Sequence, residues 1–291
     1  MATHQTAETQ YIIANGTKLA YRLLGLTTGI PLVMLMHFRG NMDFWDPALI
    51  NALASTRPIV LLDNAGIGKS EGEIPTTFHG CAEHVIALAK ALHIPQIDLL
   101  GFSMGGAAAQ HVALAAPDLV RKLILAGTRT SKTPNTVPGP RKIFYDLAHS
   151  DTDEEFKKSW INSFFNSSPS GRAAGEASWA RIQERSHDRA PHLSPVLAKR
   201  QIEAFTRFSV PNPMNPYERI HELEMPVLVA NGDNDLLIPT VNSFEVAQLL
   251  KDAHLHIYPD SGHGFSYQYA DEFAKHVELF LDGIQMKARL A

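Results

Sequence analysis

Apolar positions along the chain fall into two alternating rhythms. Short, nearly continuous apolar runs stand at residues 31–36, 58–62, 97–100, 119–126, 226–230 and 255–258. Runs of this kind predict strands buried on both faces. Between them, apolar residues recur at helical spacing. Cys81, Val85, Leu88, Ala89 and Leu92 make one such stripe, and helices are predicted at 45–53, 78–92, 106–116, 240–250 and 269–281. Ahead of these, residues 11–14 and 18–24 flank Asn15-Gly16, with Leu19, Tyr21 and Leu23 alternating, which predicts a hairpin. Strand and helix then alternate through short connections. This order predicts an α/β fold with a mostly parallel sheet and helices on both faces. Functional groups in such sheets gather at the carboxyl ends of the strands. His37, Asp63, Ser103, Asp235 and His263 all follow apparent strands.

The rhythm breaks at Thr128. Residues 132–215 show no buried strand pattern, only helical stretches near 141–149, 152–165, 173–188 and 194–207, closed by Pro211, Pro213 and Pro216. This predicts a helical insertion over the sheet edge, with residues 1–131 and 216–291 forming the core. The insertion is rich in aromatics, among them Phe144, Trp160, Phe164, Trp179 and Phe205. Most are expected to pack within it, and one or two to line a pocket.

The junction at Gly101-Phe102-Ser103-Met104-Gly105-Gly106 is the most informative stretch. Turning a strand into a helix over one residue strains that residue and brings its neighbours too close to carry a Cβ. Glycine two residues before and two after Ser103, between a strand and an Ala-rich helix, fits a nucleophile elbow better than a Ser helix cap. A serine hydroxyl needs a base within hydrogen-bond reach and a carboxylate to orient that base. Asp233 and Asp235 follow the strand at 226–230, and His263 follows the last strand. The order Ser, Asp, His is the one expected for this elbow.

Composition narrows the alternatives. The 291 residues are 45% apolar and 19% charged, with 26 Lys and Arg against 30 Asp and Glu, for a net charge of −4. Nothing here points to nucleic acid or an anionic membrane surface as a partner. Cys81, a single cysteine, excludes an internal disulfide framework and leans towards a reducing compartment. The first ten residues are polar and no run is long enough to span a bilayer, so a cytoplasmic location is expected. Gly66-Ile67-Gly68-Lys69-Ser70 resembles the end of a phosphate loop, but Asp63 stands where that loop needs glycine. The remaining histidines lack a ligand set, so neither a metal nor a cofactor is expected.

The chain resembles the α/β-hydrolases, the large family that includes cofactor-free haloperoxidases, perhydrolases, esterases and lactonases. The resemblance rests on the elbow and on Gly232, Asp235 and Pro239 in a G-x-x-D-x-x-x-P pattern. Gly262-His263 and the D-x-x-G-x-G-x-S turn from Asp63 to Ser70 also match. It implies an eight-stranded sheet, a cap at residues 132–215 and no cofactor. It also implies Ser103 as nucleophile, His263 as base and Asp235, rather than Asp233, as acid. The family usually has Gly after the histidine that follows the third strand. Here His37-Phe38-Arg39-Gly40 lacks it. Read as a one-residue deletion, this makes the Phe38 amide one oxyanion donor, with Arg39 the alternative and Met104 the second donor. His37 is expected to hold this loop rather than act as a base.

The expected activity is hydrolysis of carboxylic esters or lactones of a small, largely apolar and uncharged substrate. Arg39, Leu236, Phe265 and Trp160 are the candidate substrate contacts. A perhydrolase or haloperoxidase, in which peroxide intercepts the acyl-enzyme, is the alternative enzyme. Carbon–carbon bond cleavage is compatible with the same triad. A ligand receptor with little turnover is the alternative outside catalysis. Fold alone does not choose among them.

Overall fold

The computed structural model describes residues 2–283. β1 (Gln10–Ala14) and β2 (Thr17–Gly25) form the expected hairpin. It turns through Asn15 and Gly16, with φ of 51° and 72°, the paired positive values that a two-residue hairpin needs. Then follow β3 (Leu32–Leu35), α1 (Pro47–Ala54), β4 (Pro58–Leu62) and α2 (Phe78–Ala91). β5 (Ile97–Phe102), α3 (Met104–Ala115) and β6 (Val120–Ala126) make the central unit. Four helices come next: α4 (Arg141–His149), α5 (Asp153–Phe164), α6 (Pro169–Ile182) and α7 (Pro195–Phe208). The short α8 (Pro216–Arg219) leads into β7 (Val227–Gly232), α9 (Val241–Leu249) and β8 (Ala253–Tyr258). α10 (Phe265–Gln268) and α11 (Ala270–Asp282) finish the described chain.

The eight strands form one open sheet in the order β1-β2-β4-β3-β5-β6-β7-β8. The β1–β2 and β2–β4 pairs are antiparallel and every other pair is parallel. Side chains of each central strand alternate between two cores. Leu32, Met34, Leu100, Phe102 and Ile124 join the core on the α1 and α11 side, and Val33, Leu35, Leu99, Leu123 and Leu125 the core on the α2 and α3 side. Burial on both faces is the reason these strands read as unbroken apolar runs.

Helix ends follow local signals that the apolar pattern alone misplaces. The helix expected at 45–53 is a 3₁₀ turn over Met42–Phe44, then α1, because Asp46 caps Ala48 N at 2.9 Å and Pro47 takes the first helical turn. Ser168-Pro169 and Ser194-Pro195 start α6 and α7 in the same way. α6 therefore begins and ends several residues before the expected 173–188. Pro216 takes the first turn of α8, here without a side-chain cap from Asn215. Thr152 and Glu155 form a capping box on α5.

Candidate active site

The elbow is built by close approach. Ser103 sits at φ 56° and ψ −118°, a region unfavourable for any L-residue with a side chain. A Cβ on Gly101 would collide with Gly105 O and Gly106 Cα, and one on Gly105 with Leu35 O of the neighbouring strand. Side chains are excluded at both positions, so the turn can close. Ser103 N is held by Ala126 O at 2.8 Å, which fixes the elbow to β6. The Ser103 side chain then faces a cavity of about 760 Å³, with His263, Phe38 and Met104 on the same walls. That volume is in the range of small-molecule sites.

Asp235 and His263 lie on loops after β7 and β8. Their side chains are buried, with Asp235 Oδ2 2.6 Å from His263 Nδ1. The other carboxylate oxygen accepts the amides of Leu237 and Ile238 at 2.8 and 2.9 Å. The carboxylate is thus fixed before it meets the ring. With Nδ1 donating to Asp235, Nε2 is left as the acceptor. Nε2 makes no hydrogen bond among the described residues. Phe102 stacks on the ring at 5.1 Å, and Phe164 meets it edge-on at 4.9 Å. Asp233 is not the ring's partner. It accepts the amides of Asp260 and Ser261 at 3.0 Å each and so holds the loop that carries His263.

The turn after β3 separates the two candidate oxyanion donors. Arg39 N donates to Gln201 Oε1 at 2.9 Å, so this amide is spent. Phe38 N and Met104 N make no hydrogen bond among the described residues, and both residues line the cavity. His37 Nδ1 donates to Phe38 O at 2.9 Å, which fixes the Phe38–Arg39 peptide next to the Phe38 amide. Burial pushes the His37 pKa down to about 3, so the ring is neutral and serves the loop rather than acid–base chemistry. Asp63 braces the same loop by accepting Met42 N at 2.7 Å and Lys69 N at 2.9 Å.

Of the candidate substrate contacts, only Leu236 lines the cavity. Arg39 is fully buried and points into the insertion. It donates to Leu193 O, Leu147 O, Ser150 O and Ser150 Oγ at 2.7 to 3.0 Å, with its guanidinium 4.7 Å from the Phe156 ring centroid. Its φ of 61° turns it that way. Arg39 is a clasp between the oxyanion turn and the insertion. Trp160 packs among Phe164, Phe165, Trp179 and Tyr267, and Phe265 against Tyr258 and Phe273. Both are core residues. The walls come instead from Phe144, Ile202 and Phe205 of the insertion, from residues 136–140, and from Leu237, Ile238 and Arg129. Phe144 and Phe205 stood among the insertion's aromatics, but nothing in the sequence marked them off from their neighbours. Arg129 had a signal that was missed, its place just past the carboxyl end of β6.

Strand-end placement, the strained elbow and the Asp–His pair are those of a hydrolase. The chain belongs to the α/β hydrolase fold family, whose family model matches residues 30–268. The chain is similar to a solved α/β hydrolase fold protein from Chitinophaga pinensis, with 36% identity and a TM-score of 0.86. That similarity covers 97% of this chain and 99% of the other. It is 26% identical over 259 residues to a poly(3-hydroxyalkanoate) depolymerase of Ectopseudomonas oleovorans, covering 89% and 86% of the two chains. It is 25% identical over 262 residues to a 2-hydroxymuconate semialdehyde hydrolase of a Pseudomonas species, covering 87% of each.

Proposed function

We propose that this hydrolase cleaves carboxylic ester or lactone bonds of a small substrate with a largely apolar body, through Ser103, His263 and Asp235. The observation that carries this reading is the 2.6 Å Asp235–His263 pair, whose ring shares one cavity with a serine held at positive φ. Ser103 Oγ attacks the carbonyl while His263 Nε2 takes its proton. Asp235 holds the ring's tautomer and stabilises the imidazolium. The Phe38 and Met104 amides receive the oxyanion, and each such donor contributes about 3–4 kcal/mol to transition-state stabilisation. His263 then protonates the leaving group, and water, activated by the same ring, releases the acyl group. The apolar wall residues suit an acyl or alcohol part of aliphatic or aromatic character.

The relative named as a 2-hydroxymuconate semialdehyde hydrolase favours a second reading, hydrolysis of a carbon–carbon bond on the same three side chains. A panel of p-nitrophenyl esters of increasing chain length, together with lactones and a vinylogous 1,5-diketone, separates the two. The first reading predicts ester or lactone turnover that Ser103→Ala abolishes while the fold is kept. Turnover of the diketone alone would replace it with the second, and unchanged ester turnover in S103A would end both.

A further inference from the structure

β6 ends at Ala126, and the residues that follow form part of the cavity wall. A Cβ placed on Gly127 would stand 3.3 Å from Nδ1 and Cε1 of His263. Arg129 follows two residues later, so the two Cα atoms are within about 7 Å of each other. Gln110 on α3 donates from Nε2 to Gly106 O at 3.1 Å and to Arg129 O at 3.0 Å. The Arg129 backbone is thereby tied to the helix that Ser103 begins.

The Arg129 side chain lines the same cavity as Ser103 and His263, and the residue is only 8% exposed. Its guanidinium lies 5.0 and 5.4 Å from the ring centroids of Phe205 and Phe208. Nη1 donates to Thr130 O at 2.8 Å and Nη2 to Ser209 Oγ at 2.7 Å. Both partners are neutral. Among the described residues no carboxylate pairs with Arg129, and its Nε–H makes no hydrogen bond. Burial lowers its pKa only to about 10, so the group is cationic at neutral pH. A buried charge without a counter-ion costs several kcal/mol, which stacking on aromatic rings offsets only in part. Arg39, the other buried arginine near the site, also has no carboxylate pair among the described residues, but it makes four hydrogen bonds to the insertion and does not line the cavity. No Asp or Glu lines the cavity, whereas Lys132 and Arg141 do. Glu245, beside this segment, is engaged by Thr133 Oγ1 at 2.7 Å and Asn135 Nδ2 at 3.2 Å.

We propose that Arg129 is a specificity-determining residue that receives a carboxylate of the substrate, so that the preferred ester or lactone has an apolar body ending in an acid. The proposal rests on the hydrolase reading above and narrows its substrate class. It replaces the uncharged substrate expected from the apolar neighbours of the triad. Lys132 and Arg141 add positive potential to the same walls and favour entry of an anion. The carboxylate supplies the missing counter-ion and accepts the unspent guanidinium protons, the geometry that arginine serves best.

The test uses matched ester pairs. One pair is the mono-p-nitrophenyl ester of adipic acid and p-nitrophenyl hexanoate; the other is 4-butyryloxybenzoate and p-tolyl butyrate, with the acid on the alcohol half. The wild-type enzyme is expected to favour at least one carboxylated member in kcat/KM, chiefly through KM. Arg129→Met should cut that preference ratio about 10–100-fold, the range of a charge-assisted hydrogen bond, and Arg129→Lys should retain part of it. A wild-type ratio below one in both pairs, or an unchanged ratio in R129M, overturns the proposal. If the wild type cleaves none of the four esters, the ester reading fails for these substrates, and the carboxylate site is read by calorimetric titration with adipate and 4-hydroxybenzoate. Binding that is lost in R129M upholds the carboxylate site. Binding equal in both proteins, or absent from the wild type, overturns it.

Discussion

Replacing Asp235 by Asn keeps the side chain's shape but turns the oxygen that faces His263 into an NH₂ group and removes the charge. Oδ1 can still accept the Leu237 and Ile238 amides at 2.8 and 2.9 Å, so the amide is held as the carboxylate was. What then faces His263 Nδ1 across 2.6 Å is an NH₂ group, a donor. The ring must present a lone pair there, which moves its proton to Nε2, the nitrogen that should take the Ser103 proton. The base is blocked by tautomer while the geometry stays in place. Where this exchange has been made in a serine triad the cost is about 10⁴ in kcat, equivalent to about 5.5 kcal/mol of barrier. Stability should fall by only about 1–3 kcal/mol, the worth of the charge-assisted bond. The assay is kcat on a p-nitrophenyl ester, with urea unfolding as the control for folding. Asp233→Asn is the companion variant. Asp233 touches only loop amides, so its loss should lower kcat by less than about tenfold if the loop holds. A D235N enzyme within tenfold of wild type, or a D233N enzyme as slow as D235N, would refute the tautomer argument.

Acid should destabilise the fold before it reaches the usual carboxylates. Burial lowers the pKa of His4 and His111 to about 4 and of His37 to about 3. Below pH 6.5 the unfolded chain gains protons that the fold refuses, so stability is lost as pH falls towards those values. At pH 5 the three together forfeit about 6 kcal/mol. Asp63 acts in the opposite sense: burial raises its pKa to about 7, so it returns about 2.5 kcal/mol over the same interval. The net loss between pH 7.5 and 5 is about 3–4 kcal/mol, read from urea midpoints; equal or higher stability at pH 5 would contradict this. Arg39→Met should cost at least about 2 kcal/mol, because it strands the buried carbonyls of Ser150 and Leu193 at roughly 1 kcal/mol or more each, while Leu147 O keeps the Ser150 hydroxyl at 3.2 Å. It should also lower kcat by loosening the Phe38 turn, and a stability change below 1 kcal/mol would remove Arg39 from the role of clasp.

The legible parts of the molecule were those where local stereochemistry leaves a mark in residue type. The elbow demands glycine at 101 and 105 because backbone atoms occupy the Cβ positions, so Ser103 could be read directly. Strands buried on both faces leave apolar runs, and all eight were placed within a few residues. Asp233, Asp235 and His263 could be placed because each follows such a run by a few residues, and the family pattern through Gly232 and Pro239, not the run, favoured Asp235. Side-chain direction leaves no such mark. Phe265 and Trp160 stand near the triad or within the insertion in sequence, yet both face a core. Arg39 stood among the candidate substrate contacts, next to His37 and Phe38 in the turn after β3. Its destination was set by a positive φ and by carbonyls more than a hundred residues away. Arg129 was unread for the converse reason: its neighbours in sequence are ordinary, and its lack of a counter-ion is visible only in three dimensions.

The central claim is that Ser103 is the nucleophile, and a fluorophosphonate probe tests it most directly. Serine is present only at position 103 in the tryptic peptide spanning residues 91–121, which contains no threonine or tyrosine, so a mass shift on that peptide identifies the site. The account predicts stoichiometric labelling there, complete loss of ester turnover in step with it, and no labelling of S103A. An adduct on any other peptide, or full activity in the labelled enzyme, would contradict it.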